Sequence, residues 1–342
     1  MTRHTDTPPE WRIYHGTGWP ADPLPQLPKA PPWRRFDGDG VVPPPADDDA
    51  EFHRRLGTTR GSRVPHRNEL AMVNAALYLR RPLLVTGRPG TGKSSLAYLI
   101  ARELGLGPVL RWPITSRSTV KDGQYLYDAI GRVQDAGSGR EDSGDIGDYV
   151  HLGPLGTALL PYERPRVLLI DELDKSDIDL PNDLLNIFED GEYEIPELVR
   201  LAKRQAAVTV LTADRSGSAV VHDGVVRCRA FPVVIITSNG ERDFPPAFLR
   251  RCLNLHVEPP TEQQLGAMVA AQFGAAEKVD VARLISEFLA RSDELGGLAS
   301  DQLLNAVHLA IELATSGAYQ SDGEWQELLR AIWHPLSSTG VP

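Results

Sequence analysis

The chain has 342 residues, 41% of them hydrophobic, and a formal net charge of −10. That length and apolar content allow about two domains with buried cores, while the acidic balance speaks against a protein that lives on nucleic acid, which needs clustered Lys and Arg for phosphate contacts. The longest apolar runs, 167–170 and 233–236, fall far short of the ~20 residues that span a bilayer, and two cysteines, Cys228 and Cys252, without Cys-x-x-Cys spacing fit neither a disulfide framework nor a metal cluster.

The opening residues 1–6 lack the apolar segment of a secretory signal, so a cytoplasmic protein without a membrane partner is expected. Residues 1–58 then stand apart. Prolines recur at 8, 9, 20, 23, 25, 28, 31, 32 and 43–45, an Asp run follows at 47–49, and Trp11, Trp19 and Trp33 also fall here. Proline at that density forbids helices and favours extended backbone. Three large aromatics are unfavourable in open water, so an extended strap is expected, its tryptophans anchored on the body or on a partner. A floppy tail is the alternative.

From about residue 60 strands and helices alternate. A helix over 66–79 places Leu70, Val73, Ala76 and Leu77 on one face. A strand at 82–86 leads into Gly87, Arg88, Pro89, Gly90, Thr91, Gly92, Lys93 and Ser94, and a helix over 93–104 starts there with Ser95 close behind. This is a P-loop in the context that gives it meaning: strand, Gly-rich turn, first turn of a helix. The glycines let successive N–H groups face phosphate oxygens, reinforced by the positive end of the helix. Lys93 is placed to reach the β- and γ-phosphates, and the Ser94 hydroxyl to ligate Mg²⁺.

Further strands are expected at 109–114, 166–171, 233–238 and 253–257. Runs rich in Val, Ile and Leu spaced by helices indicate a parallel sheet covered on both faces, an α/β core over 59–258. The third strand ends in Asp171 and Glu172. In a P-loop ATPase the first carboxylate helps hold Mg²⁺ and the second polarises the attacking water. After Pro259 and Pro260 the pattern turns helical at 261–273, 280–291, 301–315 and 324–333, with Thr261 and Gln264 as a capping box. Residues 259–342 read as an all-α lid.

The acid pair, followed by 233–239 ending in Thr237, Ser238 and Asn239 and by the 244–252 stretch with Arg250 and Arg251, resembles an AAA+ ATPase. The resemblance implies ATP and Mg²⁺ as cofactors and a sheet of strand order 5-1-4-3-2. It implies Asn239 as the sensor that orients the lytic water. It also implies a ring of identical subunits, a hexamer being expected, into whose neighbouring site Arg251 projects; register favours it over Arg250. Residues 149–156, with Gly153, Pro154, Leu155 and Gly156, and the alternating segment 207–231 turning at Asp223 and Gly224 are similar to inserts of the MoxR-like group. They are either projecting levers or extensions of a sheet.

That resemblance spans about 66–335 and implies an ATPase that remodels an unidentified protein client. One departure stands out: 297–303 holds no arginine where relatives carry a second sensor, and Gln302 is nearest. A nucleotide switch or scaffold with little turnover is therefore the competing reading. Residues 212–216 resemble a segment of McrB-type restriction GTPases, but their place before Asn239 reads better as a turn in the hairpin.

Overall fold

The structure is a computed structural model that describes residues 11–43, 45, 48–59, 63–137, 145–274, 279–316 and 323–335. The signal-peptide reading of residues 1–6, and Pro8, Pro9, Pro44 and Asp47 of the expected strap, lie outside them. Five strands, β1 (Leu83–Thr86), β2 (Leu110–Pro113), β3 (Val167–Asp171), β4 (Val233–Ser238) and β5 (Leu253–His256), form an all-parallel sheet in the order β5-β1-β4-β3-β2. This is the expected order.

The pleat sends alternate side chains into two cores. Leu83, Val85, Leu169 and Ile235 pack with the helices Arg67–Leu79 and Ser95–Leu104. Leu84, Leu168, Ile170 and Ile236 pack on the other face with Leu184 and Phe188 of the helix Leu180–Asp190. Because helices cover both faces, β3 and β4 are buried along their whole length.

The inserted segments pair with one another. Tyr125–Tyr127, Val150–Leu152, Ala207–Leu211, Ser218–His222, Val225–Arg227 and Glu192–Glu194 line up, in that order, as a second, mixed sheet. Its inner residues Leu152, Val208, Val210 and Val221 join the core that underlies β3 and β4. Asp223 and Gly224 take φ of 52° and 73°, the two left-handed residues of a tight hairpin turn. Residues 212–217 form the hairpin's other turn, closed by Thr212 N–H donating to the Gly217 carbonyl at 3.0 Å. That turn is also an anchor, since Asp214 accepts two bonds from the buried Arg166 guanidinium.

Four helices, Glu262–Phe273, Val281–Leu295, Ser300–Ser316 and Gly323–Ile332, make up the C-terminal region around their own core of Leu265, Phe288, Leu303, Val307, Trp325 and Trp333. The capping box of Thr261 and Gln264 opens the first of them.

The N-terminal strap wraps the α/β core in extended form and is docked mainly through its own backbone. Asn74, fully buried, accepts from the N–H groups of Ile13 and Tyr14 and donates to the Tyr14 and Leu70 carbonyls. Glu103, also buried, accepts from the N–H groups of His15, Thr17 and Gly18. Farther along, Arg34 donates to the Phe188 carbonyl, Phe36 stacks on Phe231, and Gly38 N–H donates to the Cys228 carbonyl.

Trp19 lies on the Arg102 guanidinium, 3.7 Å from ring centre, and Trp11 meets Tyr78 edge-on; Trp33 is 75% exposed and does not anchor on the body, which leaves it to the partner alternative. A Pro-rich chain has few N–H groups; a buried amide and a buried carboxylate take those of Ile13, Tyr14, His15, Thr17 and Gly18, and backbone carbonyls of the core take those of Ala21, Gly38 and Val42. Contrary to expectation, the stretch is not extended throughout. A helix, Asp49–Leu56, begins once the prolines end, and Asp48 caps it by accepting from Glu51 N–H.

Candidate nucleotide site

The P-loop leaves the tip of β1 and turns into the helix Ser95–Leu104. Gly92 has φ +85° with no heavy atom within 4 Å of where a Cβ would stand, which leaves its backbone facing open space. Gly90, at φ +73°, is needed for a second reason: a Cβ there would stand 2.3 Å from Ala299 Cβ of the helical region. Arg88 and Gly90 are thereby tied to that region, through Arg88 Nη1 to the Gly296 carbonyl at 3.0 Å and Ser300 N–H to the Gly90 carbonyl at 3.2 Å. Thr91 donates back to the Arg88 carbonyl, and Gly87 and Pro89 complete the turn.

Lys93 is buried, and its ammonium donates to the Gly87 and Arg88 carbonyls and to Asn239 Oδ1, each at 2.8 Å. Burial lowers its pKa, an effect opposed by Asp174, Glu172 and Asp171. Asn239 also approaches Glu172 through Nδ2, at 3.5 Å. Glu172 sits in the left-handed region at φ +63°, and Lys175 Nζ lies 2.6 Å from its other oxygen. Strain of that kind in a residue without glycine's freedom is a recurrent feature of functional sites.

Ser94 Oγ donates to Asp171 Oδ1 at 2.6 Å, and Thr237 Oγ1 donates to the same oxygen at 2.8 Å. Arg111 on β2 takes the other oxygen, with Nε at 3.1 Å and Nη2 at 2.7 Å. Burial works to raise the Asp171 pKa, but the bonds from Ser94, Arg111 and Thr237 outweigh it, and the net shift is downward. The carboxylate is therefore ionised at neutral pH. A hydroxyl and a carboxylate are the hard oxygen donors that Mg²⁺ takes, and one or two protein ligands suffice when phosphates supply the rest. No group of three or more His, Cys, Asp or Glu side chains suited to a metal exists among the described residues.

Four further residues belong to this network. Thr237 faces Asp171 because β4 runs beside β3, with Ile236 opposite Ile170. Asp174, nearly inaccessible, accepts from the N–H groups of Asn239 and Glu241 and so shapes the turn that carries Asn239. Lys175 holds Glu172. Arg111 had a signal in the sequence, a charged residue inside a strand expected to be covered on both faces, and it was missed.

Beside Thr91, Gly92 and Ser95 opens a cavity of about 310 Å³ between the α/β core and the helical region. Its walls include residues 256–261 and, unexpectedly, Thr17, Gly18 and Trp19 of the strap. Gln302, the nearest stand-in for a second sensor, turns elsewhere: its Nε2 donates to the His334 carbonyl.

Arg250 and Arg251 lie at the opposite end of the sheet. They precede β5, where Leu253 N–H bonds to the Pro82 carbonyl before β1, while the P-loop follows the far end of β1. At ~3.3 Å per residue the length of β1 alone keeps them on the order of 13 Å from it. Arg251 Nε is paired with Glu189 at 2.9 Å and Nη1 with the Ala247 carbonyl. The Arg250 side chain is exposed, without a hydrogen bond or ion pair among the described residues.

A lysine after β1 and an acid pair at the tip of β3, two parallel strands with only β4 between them, beside a Gly-rich loop and helix start, define a P-loop nucleotide-binding protein. A family model described as an AAA domain, dynein-related subfamily, matches residues 82–252, half of the chain, and the chain belongs to that family of ATP-binding domains. The fold is accordingly AAA+, a five-stranded parallel core followed by a helical C-terminal region. No curated protein matches. Among solved structures the chain is similar to NtrX from Brucella abortus in complex with ATP, at 15% identity and a TM-score of 0.42, over 80% of this chain. It spans 56% of the length of that one. Among the described residues no helix is long and apolar enough to cross a membrane.

Proposed function

We propose that the chain is a MoxR-like AAA+ ATPase, cytoplasmic, in which hydrolysis at the interfaces of a homo-oligomeric ring, a hexamer, drives remodelling of a partner protein. The observation that carries the reading is the continuous hydrogen-bonded path from Lys93 through Asn239 to Glu172, beside the contact of Ser94 with Asp171.

In this reading Lys93 exchanges its carbonyl and Asn239 partners for phosphate oxygens, with the amides of residues 87–95 around them. Ser94 and Asp171 are the residues that would hold Mg²⁺, which would supply neutralisation of charge on the phosphates. Asn239, freed from Lys93, orients water, and Glu172 receives its proton once Lys175 lets go. The cavity takes the base, with the strap as one wall. A guanidinium from the neighbouring subunit completes the site. Register selects Arg251 for that role; the tie of Arg251 to Glu189, beside an exposed Arg250 side chain with no partner among the described residues, favours Arg250. The missing sensor arginine near Gln302 favours the second reading, an ATP-dependent switch with little turnover. A McrB-like nucleic-acid motor is disfavoured by the net charge.

Phosphate release and light scattering, measured together, test this. Glu172→Gln should trap a large ATP-bound assembly while the wild type cycles. Whichever of Arg250→Ala and Arg251→Ala abolishes turnover with ATP affinity intact is the trans group. ATP binding without turnover at any protein concentration selects the switch, and turnover stimulated by DNA would overturn the protein-client reading.

A further inference from the structure

Asp171 is saturated by donors of its own chain. Its Oδ1 receives the hydroxyls of Ser94 and Thr237, and its Oδ2 receives two N–H groups of Arg111. The two partners of this ion pair differ in freedom. The Asp171 side chain is 8% exposed and pinned by two hydroxyls; the Arg111 side chain is 44% exposed and stands on β2, the edge strand of the sheet. Along β2, Leu110 and Trp112 are buried while Arg111 and Pro113 face outward. A guanidinium on a long, half-exposed stem can swing into water at little cost, whereas the carboxylate cannot move.

We infer that Arg111 is an internal cation that occupies the metal-binding carboxylate until a divalent cation displaces it, so that metal loading of this site is an exchange rather than a simple addition. The inference rests on the assignment of Ser94 and Asp171 to the metal made above. Its consequence is twofold. Arg111 raises the free metal concentration needed to fill the site, and it leaves a positive charge beside the triphosphate when metal is scarce. The second part follows because a guanidinium matches phosphate oxygens as well as it matches a carboxylate.

The test uses the full chain with ADP and Mn²⁺ as the spectroscopic stand-in for Mg²⁺, reading bound metal by electron paramagnetic resonance and bound nucleotide by fluorescence of a labelled ADP. Arg111→Gln removes the competitor and should lower the half-saturating Mn²⁺ concentration about five- to tenfold. Arg111→Lys keeps the charge but loses the two-pronged geometry, and should shift it by about twofold. In chelator, Arg111→Gln should bind the labelled nucleotide more weakly than the wild type does. A half-saturation point in Arg111→Gln that is unchanged, or raised, overturns the exchange while nucleotide binding stands. Failure of the wild type to take up nucleotide at any Mn²⁺ concentration removes the reading of the site and the exchange with it.

Discussion

The strap and the helical lid approach the P-loop from two sides, and they are held by different physics. The lid has a core of its own, built from Leu265, Phe288, Val307 and Trp325, and touches the P-loop apex through a few contacts of Arg88, Gly90, Ala299 and Ser300. Among its described residues the strap has no core of its own. It borrows that of the α/β domain by inserting Tyr14 and Phe36 and by giving its backbone N–H groups to two buried side chains, Asn74 and Glu103. An element with its own core can shift as a unit, and one that borrows is either docked or unfolded.

The sharpest way to break this contrast is Glu103→Ala. It removes the buried acceptor of the His15, Thr17 and Gly18 N–H groups, of which only that of Gly18 belongs to a buried residue, so stability in urea should fall by about 2 kcal/mol. Trypsin should then cut at Lys29 in a chain whose lid is still folded; equal protection in mutant and wild type would show that the strap does not depend on Glu103. Next comes Gly90→Ala, which strains a residue at φ +73° and drives a methyl into Ala299. A loss of about 1–2 kcal/mol is expected, with the strap still protected from trypsin. Arg88→Ala removes one exposed bond to the Gly296 carbonyl, and thermal unfolding should register less than about 0.5 kcal/mol. The smallest effect expected is none. Burial pushes both the Cys228 and Cys252 thiols up to about 12, so native protein at pH 8 should resist iodoacetamide. Because Gly38 is bonded to the Cys228 carbonyl, Cys228 labelling ahead of Cys252 would report that the strap lifts locally.

The parallel sheet was legible because strands covered on both faces show as unbroken apolar runs, as in 167–170 and 233–236. The second sheet was only half visible. The hairpin announces itself by alternation and by Asp223 and Gly224, but Tyr125–Tyr127, Val150–Leu152 and Glu192–Glu194 are three residues long, too short for a period of two to register. At the site, Lys93, Ser94, Asp171 and Glu172 are legible because their spacing is set by the loop and strand tips, whereas Asn239 rests on the family resemblance; the structure brings all five together. Arg111 shows in the sequence only as a charge within a strand, and its pairing with Asp171, like the contacts of Asp174, is set by tertiary packing that adjacency in the chain does not encode. Glu103 would read as the solvent side of its helix, and it is buried only because the strap covers it.

The path of the strap also sets the order of assembly. Residues 11–43 leave the ribosome before the surfaces they lie on, which include Asn74, Glu103, Tyr162, Phe188 and, last, Cys228 and Phe231. Translation must run more than 200 residues past Tyr14 before every receptor exists, at about 5–20 residues per second. For those tens of seconds the aromatics of the strap stay in water, and a segment made before its receptors is among the last to find its place.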